Sequence, residues 1–153
     1  VRPGNIQYAE WDEFDLNDSM WTIPAEKMKT RKELVIPLAT QTVETIKQWK
    51  EVSESKYLFP GKNTKVSALN TASMIRILEE INSGLVSHSF RSVFSTFAHT
   101  HQRDKHEAIE MQLSHSLGTA VSNIYNRAEL MKERRALMQW WADYLDGLRD
   151  AED

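Results

Sequence analysis

The apolar residues of this chain follow two different rhythms, and the change falls near residue 40. Before it they come in short runs, Trp11–Leu16, Met20–Pro24 and Glu33–Pro37, each bounded by turn formers. Asn17-Asp18-Ser19 separates the first two runs and the basic segment KMKTRK separates the second and third. Short runs rich in aromatic and β-branched residues between polar turns predict strands, here a small three-stranded antiparallel sheet. Ahead of them Pro3 suits the first turn of a helix, where its missing N–H costs nothing. That helix carries Ile6 and Tyr8 and ends near Trp11.

From Thr42 onward the apolar positions recur every three to four residues, as on one face of a helix. Val43, Ile46 and Trp49 mark a helix ending near Val52. After the irregular segment SESKYLFPGKNTK, with its Pro60-Gly61 turn, Met74, Leu78 and Ile81 mark a second over Ala68–Ile81. Asn82-Ser83-Gly84 stops it. Ser87 is the expected N-cap of a third helix. In it His88, Arg91 and Ser95 share one face, while Phe90, Val93, Phe94 and Phe97 fill the other. Asp104 and Glu107 have the spacing of a capping box for a helix through Leu113, which leaves His115 just past its end. Thr119 is placed to cap a short helix bearing Val121, Ile124 and Tyr125. A long last helix over Ala128–Leu148 then aligns Leu130, Leu137, Trp141, Leu145 and Leu148. The fold class is therefore α+β and mostly helical: a small sheet near the N-terminus packed with a helical bundle.

Composition narrows the function classes. A length of 153 residues fits one domain with a real core, and 41% hydrophobic with 27% charged residues is ordinary for a soluble globular protein. No apolar run approaches the roughly 18 residues of a membrane span, and no signal-peptide pattern opens the chain. The absence of Cys excludes disulfides and thiolate chemistry and fits a reducing cytosol. A net charge of −3 weighs mildly against a nucleic-acid partner. Residues 143–153, however, hold five acids and one Arg, so the rest of the chain is close to neutral with local basic clusters. The chain opens on VRPG, without Met, in what reads as the start of an ordered element; the expectation is an excised piece of a longer protein.

Arg2, Lys29, His88, Arg91, His115 and Tyr125 together suit attack on a phosphodiester without a metal. Charge builds on the non-bridging oxygens during such a reaction, so preorganised cations must face them. Arg is well adapted, because its planar fork binds two phosphate oxygens and never loses its proton. A nucleophile must attack and a proton must reach the departing oxygen. Arg2 and Arg91 can clamp, Lys29 can donate the proton, and Tyr125 can attack, since nearby Arg residues favour its phenolate. Taken singly, each has a plain structural explanation. The His88/Arg91 pair reads as a solvated helix face, His115 as a helix C-cap, Tyr125 as packing, Arg2 as a frayed end and Lys29 as part of a solvated turn. Only their joint order carries the functional reading.

On these residues the chain resembles the tyrosine recombinases, in particular bacteriophage and genomic-island integrases. Members carry an Arg in an R-x-G-[ED]-[LI] context, here Arg2 in RPGNI, and a Lys in a turn between strands, here Lys29 in MKTRKELVIP. They then show H-x-[LF]-R, here HSFR with His88 and Arg91, and L-[GS]-H, here LSHS with His115. Last comes the nucleophile, here Tyr125 in IYNRAELMKERRALMQWWADYL. Two departures stand out. Asn5 replaces the usual acid three residues after the first Arg, so it cannot hold a neighbouring His by charge, and the interval from His115 to Tyr125 is ten residues.

The resemblance implies a catalytic domain separated from N-terminal arm-binding and core-binding domains. It implies that Tyr125 forms a 3′-phosphotyrosyl link and releases a 5′-hydroxyl. Arg2, Arg91 and His115 would stabilise the pentacoordinate phosphorus, Lys29 would protonate the leaving oxygen, and His88 would act as base or positioner. No metal, ATP or other cofactor enters. The implied partners are double-stranded DNA attachment sites and further integrase protomers, a tetramer on DNA, met in part through the C-terminal helix. The implied setting is the bacterial host cytoplasm, without a membrane. DNA binding by this piece alone should be weak and salt-sensitive.

Two other classes compete. One is a non-catalytic DNA-binding or assembly module on the same helices, suggested by Met138, Trp140 and Trp141, which add apolar area beyond one stripe, although core burial explains them too. The other is a metal-dependent nuclease using His99, His101 and His106, which lack an accompanying carboxylate pair or Cys.

Overall fold

A computed structural model describes residues 1–63, 67–82, 84, 86–115 and 122–151. Helix α1 spans Pro3–Gln7 and is followed by three strands, β1 (Phe14–Asp15), β2 (Met20–Ile23) and β3 (Leu34–Pro37). Five helices follow: α2 (Thr40–Val52), α3 (Thr71–Ile81), α4 (Ser87–His101), α5 (His106–Gln112) and α6 (Ser122–Asp150). The strands form an antiparallel sheet in the order β1-β2-β3, with Phe14 opposite Trp21 and Trp21 opposite Ile36. The fold is α+β and mostly helical, with its small sheet near the N-terminus, as the two rhythms of the sequence predict.

The turn between β1 and β2 closes because Asp15 Oδ1 accepts from the backbone N–H groups of Asn17 and Asp18, both at 3.0 Å. Alternation along β2 then sends Trp21 and Ile23 to one face. There they meet Ala9, Met28, Ile36 and Leu58 in a first buried cluster. Phe14 stacks on Trp21 with ring centroids 5.2 Å apart, and the indole N–H of Trp21 donates to Glu13 Oε2 at 2.9 Å.

A second cluster joins α4, α5 and α6 through Phe94, Ala98, Ile109, Leu113 and Leu137. Met138, Trp140 and Trp141 pack against it, so the extra apolar area of the last helix serves the core. Ala98 and Ala108, both fully buried, present small side chains inside this helical half. Fully burying a Leu, Ile or Phe contributes about 1.5–3 kcal/mol, so these few positions decide how α5 is held.

Helix α1 ends at Gln7 rather than near Trp11, and the helix boundaries differ from the sequence expectation in four further places. Asn70 Oδ1 accepts from the N–H of Ser73 at 2.8 Å, and α3 therefore begins at Thr71 rather than near Ala68. Ser87 is the first helical residue of α4, with Val86 at the cap. A single 3₁₀ turn over Arg103–Lys105 leads into α5, and no side chain caps that helix, so Asp104 and Glu107 do not form a box there. Finally, α6 runs unbroken from Ser122, which merges the expected short helix around Tyr125 with the long one after Ala128. The proposed cap Thr119, with Val121, lies outside the described residues.

Several apolar stripes are also less covered than their spacing suggests. Ile81 is 71% exposed and Phe90 55%. Rather than packing on each other, α3 and α4 border an open apolar groove of about 450 Å³, lined by Met74, Leu78, Phe90 and Trp141 among others. Leu145 and Leu148 are likewise exposed near the end of α6. Among the described residues no helix is long and apolar enough to cross a membrane.

Candidate active site

Arg91 sits one turn into α4, where that helix passes the C-terminal end of α5. The last carbonyls of a helix have no partner within it. Arg91 uses one of them, since its Nη2 donates to the carbonyl of Leu113, and the same nitrogen lies 3.0 Å from His115 Nε2. Its other terminal nitrogen, Nη1, is buried and has no hydrogen-bond partner among the described residues. A buried charged donor left in this way calls for an acceptor. Burial first and the charge of Arg2 second push the Arg91 guanidinium below its ordinary pKa, against the pull of Glu110. The two Arg residues therefore repel each other, which an anion between them would relieve.

Backbone geometry brings His115 to this point. Ser114 adopts a left-handed conformation (φ 61°), rare for a residue with a side chain. It ends α5 by reversing the chain, and the N–H of His115 returns to the carbonyl of Glu110 at 2.9 Å. The imidazole then folds back over α5, with Nδ1 2.8 Å from Glu110 Oε2. The other oxygen of that carboxylate, Oε1, lies 3.1 Å from His99 Nε2 on α4. Hydrogen bonding to His115 first, then to His99, holds the Glu110 carboxyl below its usual range although burial opposes the shift. His115 is thus more than a helix cap: it is the middle member of a chain from Arg91 to Glu110.

The N-terminal half supplies two more cations. Asn5 Oδ1 accepts from the backbone N–H of Arg2 at 3.2 Å, while Asn5 Nδ2 donates to the carbonyl of Lys27 at 3.2 Å. An amide can do both where a carboxylate could only accept. Asn5 therefore ties the start of α1 to the turn after β2, a role the sequence comparison with acidic residues did not suggest. In that turn Lys27 is occupied: its amine donates to Tyr8 O at 2.9 Å and bridges Glu10 and Glu13. Burial lowers its pKa, but the hydrogen bonds it donates to Glu13 and Glu10 outweigh that and hold it above the ordinary value. Lys29, two residues on, is exposed. With Arg2, Asn5 and Ser114 it lines a hollow of about 370 Å³.

Four of the six residues singled out from the sequence thus gather around one region: Arg91 and His115 in contact, Arg2 close enough to act on Arg91, and Lys29 on the hollow that Arg2 and Ser114 share. His88 is exposed in the first turn of α4, and its side chain has no hydrogen bond to the Arg91–His115 pair among the described residues. Tyr125 falls in the first turns of α6; its side chain, and residues 116–121 leading to it, lie outside the described residues. Glu110 and the buried Arg134 were not anticipated, and His99 was expected only as a candidate metal ligand. The one available signal was an acid five residues before His115, on the helix that His115 ends.

The alternative trio of His residues is dispersed by the same contacts. His99 is taken by Glu110, and His101 stacks on Phe97 at 5.3 Å with Nδ1 on the Phe97 carbonyl at 3.0 Å. His106 approaches His99 at 5.1 Å between ring centroids. Among the described residues no group of three His, Cys, Asp or Glu side chains is placed to hold a metal ion.

Arg2 and Lys29 line the hollow, and Ser114 on its wall joins it to the neighbouring Arg91–His115 pair, a cationic arrangement of the kind that suits a phosphate-sized anion. The chain matches the phage integrase family over residues 1–131, a span that contains all six singled-out residues, and it belongs to that family, the tyrosine recombinases. It is 35% identical over 150 residues to an integrase of Shigella phage Sf6, and 37% identical over 150 residues to the prophage integrase IntS of Escherichia coli. Each alignment covers 95% of this chain but 39% of the relative, so the chain spans about two fifths of the curated relatives it matches. No solved structure matches it.

Proposed function

We propose that the chain is the catalytic domain of a site-specific DNA recombinase that integrates or excises a mobile element. The observation that carries this reading is the 3.0 Å approach of Arg91 to His115 beside the hollow lined by Arg2 and Lys29, in a chain of the integrase family. Arg2 and Arg91 clamp the scissile phosphate, and Nη1 of Arg91, which has no partner among the described residues, supplies a donor for one of its oxygens. Tyr125 attacks phosphorus, forming a 3′-phosphotyrosyl bond as the bond to the 5′-oxygen breaks. Lys29 gives that oxygen a proton, His115 supports the charge on the non-bridging oxygens, and His88 acts as base or positioner near the nucleophile. The 5′-hydroxyl of a partner strand reverses the step, so bond energy is conserved and neither ATP nor a metal is consumed.

The partners in this reading are double-stranded attachment sites and further integrase protomers, reached in part through the end of α6, where Leu145 and Leu148 are exposed. Arm-binding and core-binding domains precede this one in the full enzyme, which works on DNA in the host cytoplasm. The test is covalent trapping on a nicked duplex built from the element's own junction sequence. The protein should become linked to the 3′-phosphate, and Tyr125→Phe should abolish the link. Undiminished trapping by that variant would remove Tyr125 as nucleophile.

A further inference from the structure

The donors and acceptors around His115 fix its protonation pattern. Arg91 Nη2 can only donate, so the imidazole nitrogen 3.0 Å from it, Nε2, must accept and carries no proton. Glu110 is an acceptor when ionised, and its depressed pKa keeps it so. The nitrogen 2.8 Å from its Oε2, Nδ1, must therefore carry the His115 proton. The second carboxylate oxygen faces His99 Nε2 at 3.1 Å, which must donate as well. The pattern is consistent from end to end: two N–H groups converge on one carboxylate, and a bare imidazole nitrogen is turned toward Arg91.

This is the less common arrangement for a histidine, and Glu110 is what imposes it. We infer that Glu110 is a positioning residue of the phosphate site: it locks His115 as the Nδ1–H tautomer and presents the Nε2 lone pair beside Arg91. The consequence for the reaction rests on the recombinase reading above. When the Tyr125 oxygen bonds to phosphorus, its hydroxyl proton passes to His88, the base of that reading. The bond from phosphorus to the 5′-oxygen breaks, and that oxygen takes a proton from Lys29. One proton enters the protein at His88 and one leaves at Lys29. His115, taking a proton from solvent as the phosphate docks, holds one N–H against Glu110 and turns the other to the non-bridging oxygens. Its charge is met by a carboxylate already in place, the logic by which an acid orients a catalytic His elsewhere.

Among the described residues, the groups facing this imidazole from the packed elements are Arg91 and His99 on α4 and Glu110 on α5, with Arg2 nearby at the start of α1. Glu110 is the one acid among them. His99 donates to the same carboxylate and holds it from the far side, which makes it a support for Glu110 rather than a second base.

The inference is tested on the chain itself by long-range ¹⁵N–¹H correlation of the His115 ring, with Glu110→Ala, Glu110→Gln and Glu110→Asp alongside. The wild-type ring should show the Nδ1–H pattern above neutral pH, Glu110→Ala should lose it for a mixture, and Glu110→Asp should keep it. A wild-type ring protonated on Nε2 overturns the inference with no variant needed, as does an unchanged pattern in Glu110→Ala. Single-turnover trapping on the nicked duplex should fall about 10- to 100-fold in Glu110→Ala at saturating protein, with recovery in Glu110→Asp, as for other residues that orient a catalytic group. Trapping by Glu110→Ala at the wild-type rate overturns the role in the reaction. If the wild-type protein traps no DNA and Tyr125→Phe matches it, the recombinase reading fails, while the ring spectrum still decides whether Glu110 sets the tautomer.

Discussion

Arg134 of α6 and Gln112 at the end of α5 meet inside the protein: Arg134 Nε donates to Gln112 Oε1 at 2.9 Å, and both residues are buried. The same guanidinium reaches across to the carbonyl of Val35 on β3 at 2.7 Å. One side chain thus joins the sheet, the last helix and the helix end that carries Leu113 and His115. Burial pushes its pKa down to about 10, so it remains charged at neutral pH among neutral acceptors. Arg134→Ala should destabilise the fold by about 3–5 kcal/mol, since it strands a buried amide and a strand carbonyl. Arg134→Met keeps the packing of the stem and should lose less. Urea unfolding of both variants checks the ranking; equal losses would assign the effect to the lost hydrogen bonds alone.

The sheet and helices were legible because each announces itself locally, through turn residues such as Asn17 and Asp18 or through a stripe such as Leu130 and Leu137. The contacts that shape the site were not. Arg134 reads as one of two adjacent cations in KERRA, and nothing local says that this one is buried. Glu110 reads as an ordinary helix acid until Ser114 reverses the chain and carries His115 back over it. Lys27 and Lys29 are equivalent in composition, and only Glu10 and Glu13, packed beside the turn, distinguish them. Ile81 and Phe90 misled in the opposite direction: their spacing predicts burial, but the groove between α3 and α4 is left open.

Arg91 holds the carbonyl of Leu113 and approaches His115 through one nitrogen, and it offers a second that has no partner among the described residues. A lysine has a single ammonium and cannot keep both faces. Arg91→Lys should therefore preserve duplex affinity within a few fold while slowing covalent trapping by about 100-fold or more, the scale seen when one preorganised donor is lost. Binding by gel shift and trapping by single-turnover assay separate the two. A parallel fall in both would mean that Arg91 only attracts the backbone.

The Glu110 carboxyl is depressed below its ordinary value of 4.5 by its two imidazole partners. A group whose folded pKa is lowered adds stability that is fully present above its unfolded pKa, and that contribution is lost as pH falls through the folded value. The stability advantage of the wild-type protein over Glu110→Gln should therefore be constant from neutral pH down to about 5 and fade below about 4.5. Because the carboxyl is still partly exposed, solvent screening keeps the difference modest. Denaturant midpoints at pH 7, 5 and 3 test it; a gap that widens toward pH 3 would contradict the hydrogen bonds of Glu110 to His99 and His115.

Lys27 and Lys29 should part company under mutation. Lys27→Met breaks the bridges to Glu10 and Glu13 and the bond to the carbonyl of Tyr8, so it should lower stability. Lys29→Ala touches none of these and should leave the unfolding midpoint unchanged while slowing trapping by about 10²- to 10⁴-fold, the range for loss of a positioned proton donor. If Lys29 acts by protonating the departing 5′-oxygen, its loss should matter little when that oxygen is replaced by sulfur, because a thiolate leaves without a proton. A nicked duplex carrying a 5′-bridging sulfur at the scissile phosphate should then restore trapping by Lys29→Ala to within a few fold of the wild-type rate. Arg91→Lys should not be restored, since its defect lies at the non-bridging oxygens. Rescue of both variants, or of neither, would remove Lys29 from the role of general acid and leave it as one more cation on the rim of the hollow.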